Sequence, residues 1–120
     1  MREDKGMITT LESEPDGKKR VHWECTSSQF TAVASRLKEA QARLITVYAT
    51  PQGEREVGLK YYFDLEGFVL IVTTRTEKSS ISSLYTLFLN ADFIEREINN
   101  LFRIKFLGHP NLPRYGSTEE

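Results

Sequence analysis

Three apolar segments separated by short turns constrain the fold of this chain more than any other feature. They cover residues 44–49, 56–63 and 68–74. The middle segment alternates apolar and polar residues, as a half-buried strand does. The first segment is a nearly continuous apolar run, which predicts a strand buried on both faces or nearly so. Because the connections are too short for crossovers, the three strands are predicted to form an antiparallel meander. Residues 7–11 and 21–25 are predicted to pair as a hairpin.

Two amphipathic segments are predicted to form helices. Before the first one, Thr26 is followed three residues later by Gln29, which is the spacing of a capping box at the start of a helix. The apolar residues behind it recur on one helical face. The second helix is predicted to begin near Asp92, because Asp92 and Glu95 repeat that spacing, and to run to about Phe102.

These elements predict a single α+β domain over residues 1–120, with two layers in which helices pack on one face of a mostly antiparallel sheet. Residues 76–90 are polar and then apolar without a clear period, which predicts a short helix or an irregular segment. The polar residues 1–6 are predicted to form a flexible N-terminus. Residues 107–120 are predicted to form an irregular C-terminal tail.

The composition argues against several classes of function. The net charge is -1, so no overall field attracts the chain to nucleic acid or to anionic lipid. The single cysteine, Cys25, excludes an intrachain disulfide and favours a reducing, cytoplasmic compartment. Two histidines and one cysteine do not supply the four ligands of a structural zinc site. The first residues lack the apolar core of a signal peptide, and no apolar run is long enough to span a membrane.

A charged triplet within the second helix raises the question of catalysis. Glu95, Arg96 and Glu97 lie among apolar residues, and a Gly-His-Pro turn with the titratable His109 follows at 108–110. On a helical wheel Glu95 and Glu97 fall at opposite edges of the apolar stripe, so the two carboxylates do not converge on one bond or metal. No carboxylate or nucleophile stands at a recognisable spacing from His109, which favours an interaction module over an enzyme. The apolar stripe consists of Ile94, Ile98, Leu101 and Phe102.

The same region resembles a known family signature. The charged triplet 95–97, a short gap, an apolar pair and then the Gly-His-Pro turn with a following leucine are similar to the signature of the 30 kDa subunit of NADH–quinone oxidoreductase. This enzyme is the respiratory-chain NADH dehydrogenase, complex I, and a related subunit occurs in membrane-bound energy-converting NiFe hydrogenases. The resemblance covers about residues 27–114, and residues 80–114 carry its specific part.

The resemblance implies a non-catalytic subunit in the hydrophilic arm of such a complex, with no cofactor and no bound metal. The implied partners are the large catalytic subunit, on which it docks, and the small iron–sulfur subunit, with no nucleic acid. Contact with the membrane is implied only through the complex, on the cytoplasmic side of the cell membrane. We also expect an exposed apolar patch around Phe93, Leu107 and Leu112. The implied partner-interface positions are Glu95, Arg96, Glu97, Gly108, His109, Pro110 and Arg114.

Several positions depart from the family pattern. The family commonly carries an acidic residue at the position of Asn100 and glycine at that of Arg103. An aspartate is usual at Asn111 and a basic residue at Pro113. Beside the subunit hypothesis two alternatives stay open. One is a binding module that self-associates through the same patch, and the other is a small free-standing hydrolase or transferase that uses His109 with a nearby glutamate.

Overall fold

The computed structural model describes residues 7–13, 19–52, 56–76 and 80–110. The predicted N-terminus at 1–6 and most of the predicted tail, with Leu112 and Arg114, lie outside the described residues. The elements in chain order are β1 (Met7–Ser13), β2 (Lys19–Glu24), α1 (Ser27–Glu39), β3 (Arg43–Pro51), β4 (Val57–Leu65), β5 (Phe68–Arg75), β6 (Ser80–Ser82), α2 (Ala91–Phe102) and β7 (Lys105–Leu107).

A five-stranded sheet forms the centre of the fold, in the order β1-β2-β5-β4-β3. β4 is antiparallel to both β3 and β5, which confirms the predicted meander. β1 and β2 form the predicted antiparallel hairpin. β2 and β5 pair in parallel, and the intervening α1, β3 and β4 supply the long connection that parallel neighbours need. The sheet is therefore mostly antiparallel, and the predicted α+β class is confirmed.

The core lies between the sheet and α1. Alternate residues of β4 point toward it, so that Leu59, Tyr61 and Phe63 are buried, as the alternating sequence predicted. α1 contributes Phe30, whose ring centroid lies 4.6 Å from that of Tyr61. Fully burying a side chain of this size stabilises the fold by roughly 1.5–3 kcal/mol, which holds the helix on the sheet. The other buried residues of α1 are Val33, Ala34 and Leu37.

α1 begins as predicted. The Thr26 side chain accepts a hydrogen bond from the backbone N–H of Gln29 at 3.2 Å, and the Gln29 side chain accepts one from the backbone N–H of Thr26 at 3.0 Å. This reciprocal pair is the predicted capping box. It pairs backbone donors that the start of a helix otherwise leaves without a partner.

β3 differs from its prediction. It lies at the edge of the sheet, where Ile45 and Tyr48 are exposed, so the expectation of a strand buried on both faces was wrong. Tyr48 packs edge-on against Tyr62, with 5.3 Å between the ring centroids. A short apolar run does not reveal how many neighbours a strand has, because strand position depends on the rest of the sheet.

A second, two-stranded sheet was not predicted. β6 and β7 pair in parallel, whereas the sequence indicated an irregular segment at β6 and the start of the tail at the end of β7. Strands of three residues are too short to show a period of two. Their buried residues Ile81 and Phe106 join the main core, so this small sheet ties the chain after α2 to the body of the domain.

α2 begins and ends in ways that were not predicted. Its N-cap is Asn90, which makes no side-chain capping bond, so the predicted cap formed by Asp92 and Glu95 was wrong. The Asn90 side chain instead donates a hydrogen bond to the backbone carbonyl of Leu44 at 2.7 Å, which ties the start of α2 to β3. At the other end Arg103 adopts a left-handed conformation with φ of 60°.

We expect Arg103→Gly to raise the free energy of unfolding by about 1 kcal/mol, because glycine adopts a positive φ without the clash that a Cβ causes. Urea-induced unfolding followed by circular dichroism measures the change. Arg103→Ala is the matched control, since it removes the same side chain and keeps the Cβ. Equal stability of the two variants would contradict strain at this position.

Candidate docking site

The apolar stripe of the wheel is divided between the core and the surface. Ile98 is buried, whereas Leu101 is exposed. Ile94 and Phe102 are partly buried against the core. The helix is rotated so that the carboxylate of Glu95 faces the interior. The buried residues of α2 are Ala91, Glu95, Ile98 and Asn99.

The carboxylate of Glu95 joins α2 to the segment that precedes it. Only 1% of this residue is exposed. The Ser83 hydroxyl donates to its Oε1 at 2.6 Å, and the backbone N–H of Leu84 donates to its Oε2 at 2.8 Å. The Ser83 oxygen in turn accepts from the backbone N–H of Tyr85 at 3.0 Å. Charge-assisted hydrogen bonds of this kind offset part of the cost of burying a carboxylate.

Burial raises the pKa of the Glu95 carboxyl above its ordinary value of 4.5. The hydrogen bonds from Leu84 and Ser83 act in the opposite direction, as does a positive charge on His109, while the negative charge of Asp92 adds to the rise. Loss of hydration is the largest of these effects on the pKa, since it disfavours the charged form. The folded state therefore favours the protonated form of Glu95 more than the unfolded chain does.

His109 and Arg96 meet at one acidic residue in the first turn of α2. His109 Nε2 lies 2.9 Å from Asp92 Oδ1, and Arg96 Nε lies 3.2 Å from the same oxygen. The histidine contact has the distance of an ion pair without the alignment of a hydrogen bond. The histidine side chain is buried, and its ring centroid lies 5.4 Å from that of Tyr85. The Gly-His-Pro turn is thereby held against the start of α2.

Gly108 allows the chain to turn sharply after β7. Its φ is 93°, in the region that residues with a Cβ rarely adopt. The next residue, His109, donates its backbone N–H to the carbonyl of Phe106 at 3.1 Å, which closes the turn. The position of the His109 ring beside Asp92 therefore depends on this glycine.

The structure divides the predicted interface positions into buried and outward groups. Glu95 and His109 have buried side chains, and Arg96 is half exposed. Glu97 is exposed, and none of the ion pairs among the described residues involves it. The contacts thus join Arg96 and His109 at Asp92, tie Glu95 to the segment before α2, and leave Glu97 outside both sets. The remaining positions are Gly108 and Pro110, which are exposed, and Arg114, which lies outside the described residues.

Several residues that organise this site were not predicted. Ser83 and Asp92 supply the side-chain contacts described above, and Asn99 donates to the backbone carbonyl of Ile104 at 2.8 Å, which joins the end of α2 to β7. Most of these partners are far apart in the sequence or belong to loops, so no helical or strand period points to them. The sequence feature that could have indicated the inward position of Glu95 is its place on the helical wheel, at the edge of the apolar stripe.

The outward face of α2 carries large apolar side chains. Leu89, Phe93 and Leu101 are 72%, 61% and 74% exposed, and Leu107 of β7 is 54% exposed. The first three residues are separated by multiples of four positions, so they lie along one side of the helix and of the turn that leads into it. We call Leu89, Phe93 and Leu101 the apolar row. The expected exposure of Phe93 and Leu107 is confirmed, and the row extends the patch along the helix.

The surroundings of His109 differ from those of a catalytic base. Its ring is buried against Asp92 and Tyr85, and a groove in the surface lies elsewhere, between α1, β3 and residues 86–90, which precede α2. Within the described residues, no group of three His, Cys, Asp or Glu side chains is placed to hold a metal ion. Neither of the helices in the described part of the chain is long and apolar enough to cross a lipid bilayer.

The chain matches a known protein family over most of its length. The family described as "Respiratory-chain NADH dehydrogenase, 30 Kd subunit" matches residues 23–119. The chain belongs to this family. The matched residues include all of α2 and the Gly-His-Pro turn, and the resemblance drawn from those two features is confirmed.

The name of a curated relative is consistent with membership of this family. The sequence is 42% identical over 60 residues to "NAD(P)H-quinone oxidoreductase subunit J" of Synechococcus sp. (strain WH7803). The match covers 50% of this chain and 28% of the relative. The chain therefore spans less than a third of the length of that relative.

Two solved structures are similar to this chain. A trypsin-resistant fragment of Nqo5 superposes with a TM-score of 0.68 at 21% identity, covering 86% of this chain and 89% of that one. A chain of the membrane-bound sulfane sulfur reductase, described as an archaeal respiratory membrane complex, superposes with a TM-score of 0.72 at 17% identity, covering 92% and 69%. At these identities the similarity establishes the fold alone.

We expect Glu95→Ala to lower the free energy of unfolding by about 2–4 kcal/mol, because it leaves a cavity and removes the acceptor of two hydrogen bonds, one from a buried backbone N–H. Urea-induced unfolding measures the loss. Glu97→Ala on the exposed face of the same helix is the control, with an expected change within about 0.5 kcal/mol. Similar losses for the two variants would show that Glu95 does not brace α2.

The raised pKa of Glu95 predicts a pH dependence of stability. As the pH rises above 4.5, the unfolded chain releases this proton before the folded protein does, so the free energy of unfolding should fall relative to that of Glu95→Gln, which cannot titrate. Unfolding curves at a series of pH values measure the difference between the two proteins. Glu97→Gln controls for the change in net charge. A difference that stays constant with pH would contradict the prediction.

Proposed function

We propose that this chain is a non-catalytic, cofactor-free structural subunit of a respiratory oxidoreductase complex of the NADH–quinone oxidoreductase or energy-converting hydrogenase type. In this proposal it docks on the large catalytic subunit through the apolar row, near the small iron–sulfur subunit, at the cytoplasmic side of the membrane. Membership of the family supports a role as a subunit. The observation that carries the docking surface is the apolar row on α2.

The apolar row has the properties of an interface anchor. Fully burying a leucine or phenylalanine side chain is worth roughly 1.5–3 kcal/mol, and Leu89, Phe93 and Leu101 leave more than half of their surface exposed. A few buried anchors of this type carry most of the energy of a protein interface. Exposed apolar surfaces of this type mark interaction sites, and Leu107 on β7 is exposed as well.

Internal contacts hold the apolar row in a fixed orientation. Glu95 ties α2 to the preceding segment through Ser83 and Leu84, and Asp92 ties it to the Gly-His-Pro turn. A surface that is rigid before binding loses less conformational entropy when a partner docks. In the proposed role Glu95 is therefore a positioning residue, as is the turn, while Glu97 faces the partner.

The same geometry favours neither alternative function. A hydrolase that uses His109 needs this ring to be open to a substrate, whereas its side chain is buried. Self-association through the apolar row would also cover the exposed carboxylate of Glu97, which lies midway between Phe93 and Leu101 in the sequence. A different protein does not need the His109 ring, and it can place a cation opposite Glu97.

We expect Phe93→Asp to lower the affinity for the large catalytic subunit of the same complex at least about tenfold, because it places a charge at the centre of the apolar row. Biolayer interferometry with the purified subunit measures the affinity. Tyr48→Asp is the control, since Tyr48 is an equally exposed aromatic residue on β3. If the wild-type chain does not bind the large subunit, the proposed partner is wrong. If both variants bind equally well, the proposed docking surface is wrong.

Arg96→Ala is expected to weaken the same binding by less than Phe93→Asp does. Arg96 is half exposed and pairs with Asp92, and exposed ion pairs contribute little to stability, with a median of about 0–1 kcal/mol. A greater loss with Arg96→Ala than with Phe93→Asp would shift the centre of the interface from the row toward the Gly-His-Pro turn.

A further inference from the structure

A single carboxylate interrupts the apolar row. Leu89, Phe93, Glu97 and Leu101 follow one another at intervals of four residues, so they form one ridge that runs along the outer side of α2 and the turn before it. Successive members of such a ridge lie about 6 Å apart along the helix axis. Any face that covers the leucines and the phenylalanine therefore also covers Glu97.

Glu97 differs from the other charged residues of α2 in having no internal role. Glu95 is buried with two hydrogen-bond donors, and Asp92 pairs with Arg96 and approaches His109. Glu97 is exposed and takes part in none of the ion pairs among the described residues. Its charge is thus available to a partner, and the described part of the fold makes no use of it.

A carboxylate within an apolar contact restricts what can cover it. A buried charge without a partner of opposite sign is strongly destabilising. A purely apolar face is therefore a poor match for this ridge. A face with an arginine or lysine opposite Glu97 is a good match, and arginine suits it best because its guanidinium bonds a carboxylate at two points.

A second copy of this chain would bring a second carboxylate into the contact. A two-fold contact uses the same patch on both sides, so a symmetric pair of α2 helices that covers the row would cover both Glu97 side chains. The nearest cation in the sequence, Arg96, already pairs with Asp92. The charge in the ridge therefore opposes self-association as well as binding to apolar surfaces.

We propose that Glu97 selects the occupant of the apolar row. The occupant is a protein face that is apolar except for one arginine or lysine opposite Glu97, and the same carboxylate keeps two copies of this chain from pairing through the row. This inference rests on the proposed function for its docking surface and adds the chemistry of the partner. It also assigns different roles to the two glutamates of the charged triplet.

The self-association part is tested without any partner. We expect Glu97→Leu to form dimers in sedimentation velocity at concentrations where the wild type is a monomer, because the substitution makes the ridge continuously apolar. Glu39→Leu is the matched control, since Glu39 is an exposed glutamate at the end of α1, and it should stay monomeric. The double variant Glu97→Leu with Phe93→Asp should return to a monomer. A dimeric wild type, or a Glu97→Leu variant that stays monomeric, overturns the proposal.

The partner part is tested with the large catalytic subunit. We expect Glu97→Arg to lower the affinity at least about tenfold, because it places two cations against each other, and Glu97→Gln to lower it less. The affinity of the wild type should fall more steeply with salt than that of Glu97→Gln. Glu39→Arg should bind as the wild type does. Binding of Glu97→Arg at wild-type affinity overturns the proposed cation opposite Glu97.

The two proposals fail in different ways. If the wild type does not bind the large subunit and Glu97→Leu still forms dimers, the assignment of the large subunit is wrong, whereas the row is supported as an interface guarded by Glu97. If the wild type binds and Phe93→Asp abolishes binding, but Glu97→Arg has no effect, the docking surface is supported and the role of Glu97 is rejected.

Discussion

The buried carboxylate of Glu95 determines how α2 sits on the rest of the domain. Its two oxygens accept hydrogen bonds from Ser83 and Leu84, and both donors belong to the segment that packs beneath the helix. Because this side chain must face inward to reach them, the residues on the far side of the helix must face outward. The exposure of Phe93 and Leu101 is therefore a consequence of the same contact that fixes the helix.

A buried acid is a costly way to hold a helix in place. Burial disfavours the charged form of the Glu95 carboxyl and raises its pKa. Apolar residues of similar volume often stabilise a fold as well as a buried ion pair does. What the carboxylate adds is a defined rotation, since its bonds to Ser83 and Leu84 are directional while apolar contacts are not. For a subunit that presents a surface to a larger neighbour, the orientation of α2 matters as much as its stability.

The two parts of the family signature meet in three dimensions. The charged triplet and the Gly-His-Pro turn are brought together at Asp92, which lies within ion-pair distance of both Arg96 and His109. Glu95 and the His109 side chain are thus internal, whereas Glu97, Gly108 and Pro110 are exposed. Asn100 is exposed on the same helix. Its neutral side chain leaves Glu97 as the acidic residue of the outward face.

Sequence patterns alone determined the parts of the fold that rest on local order. Alternation in β4, the short turns around it and the Thr26–Gln29 capping box each act within a few residues, so the meander, the start of α1 and the α+β class were predictable. The signature in α2 and the turn was enough to identify the family. The tertiary structure decided which face of α2 is buried, that β3 is an edge strand and that β6 pairs with β7. These features depend on contacts between residues that are not neighbours in the chain, such as that of Ser83 with Glu95. Such contacts produce no helical or strand periodicity in the sequence.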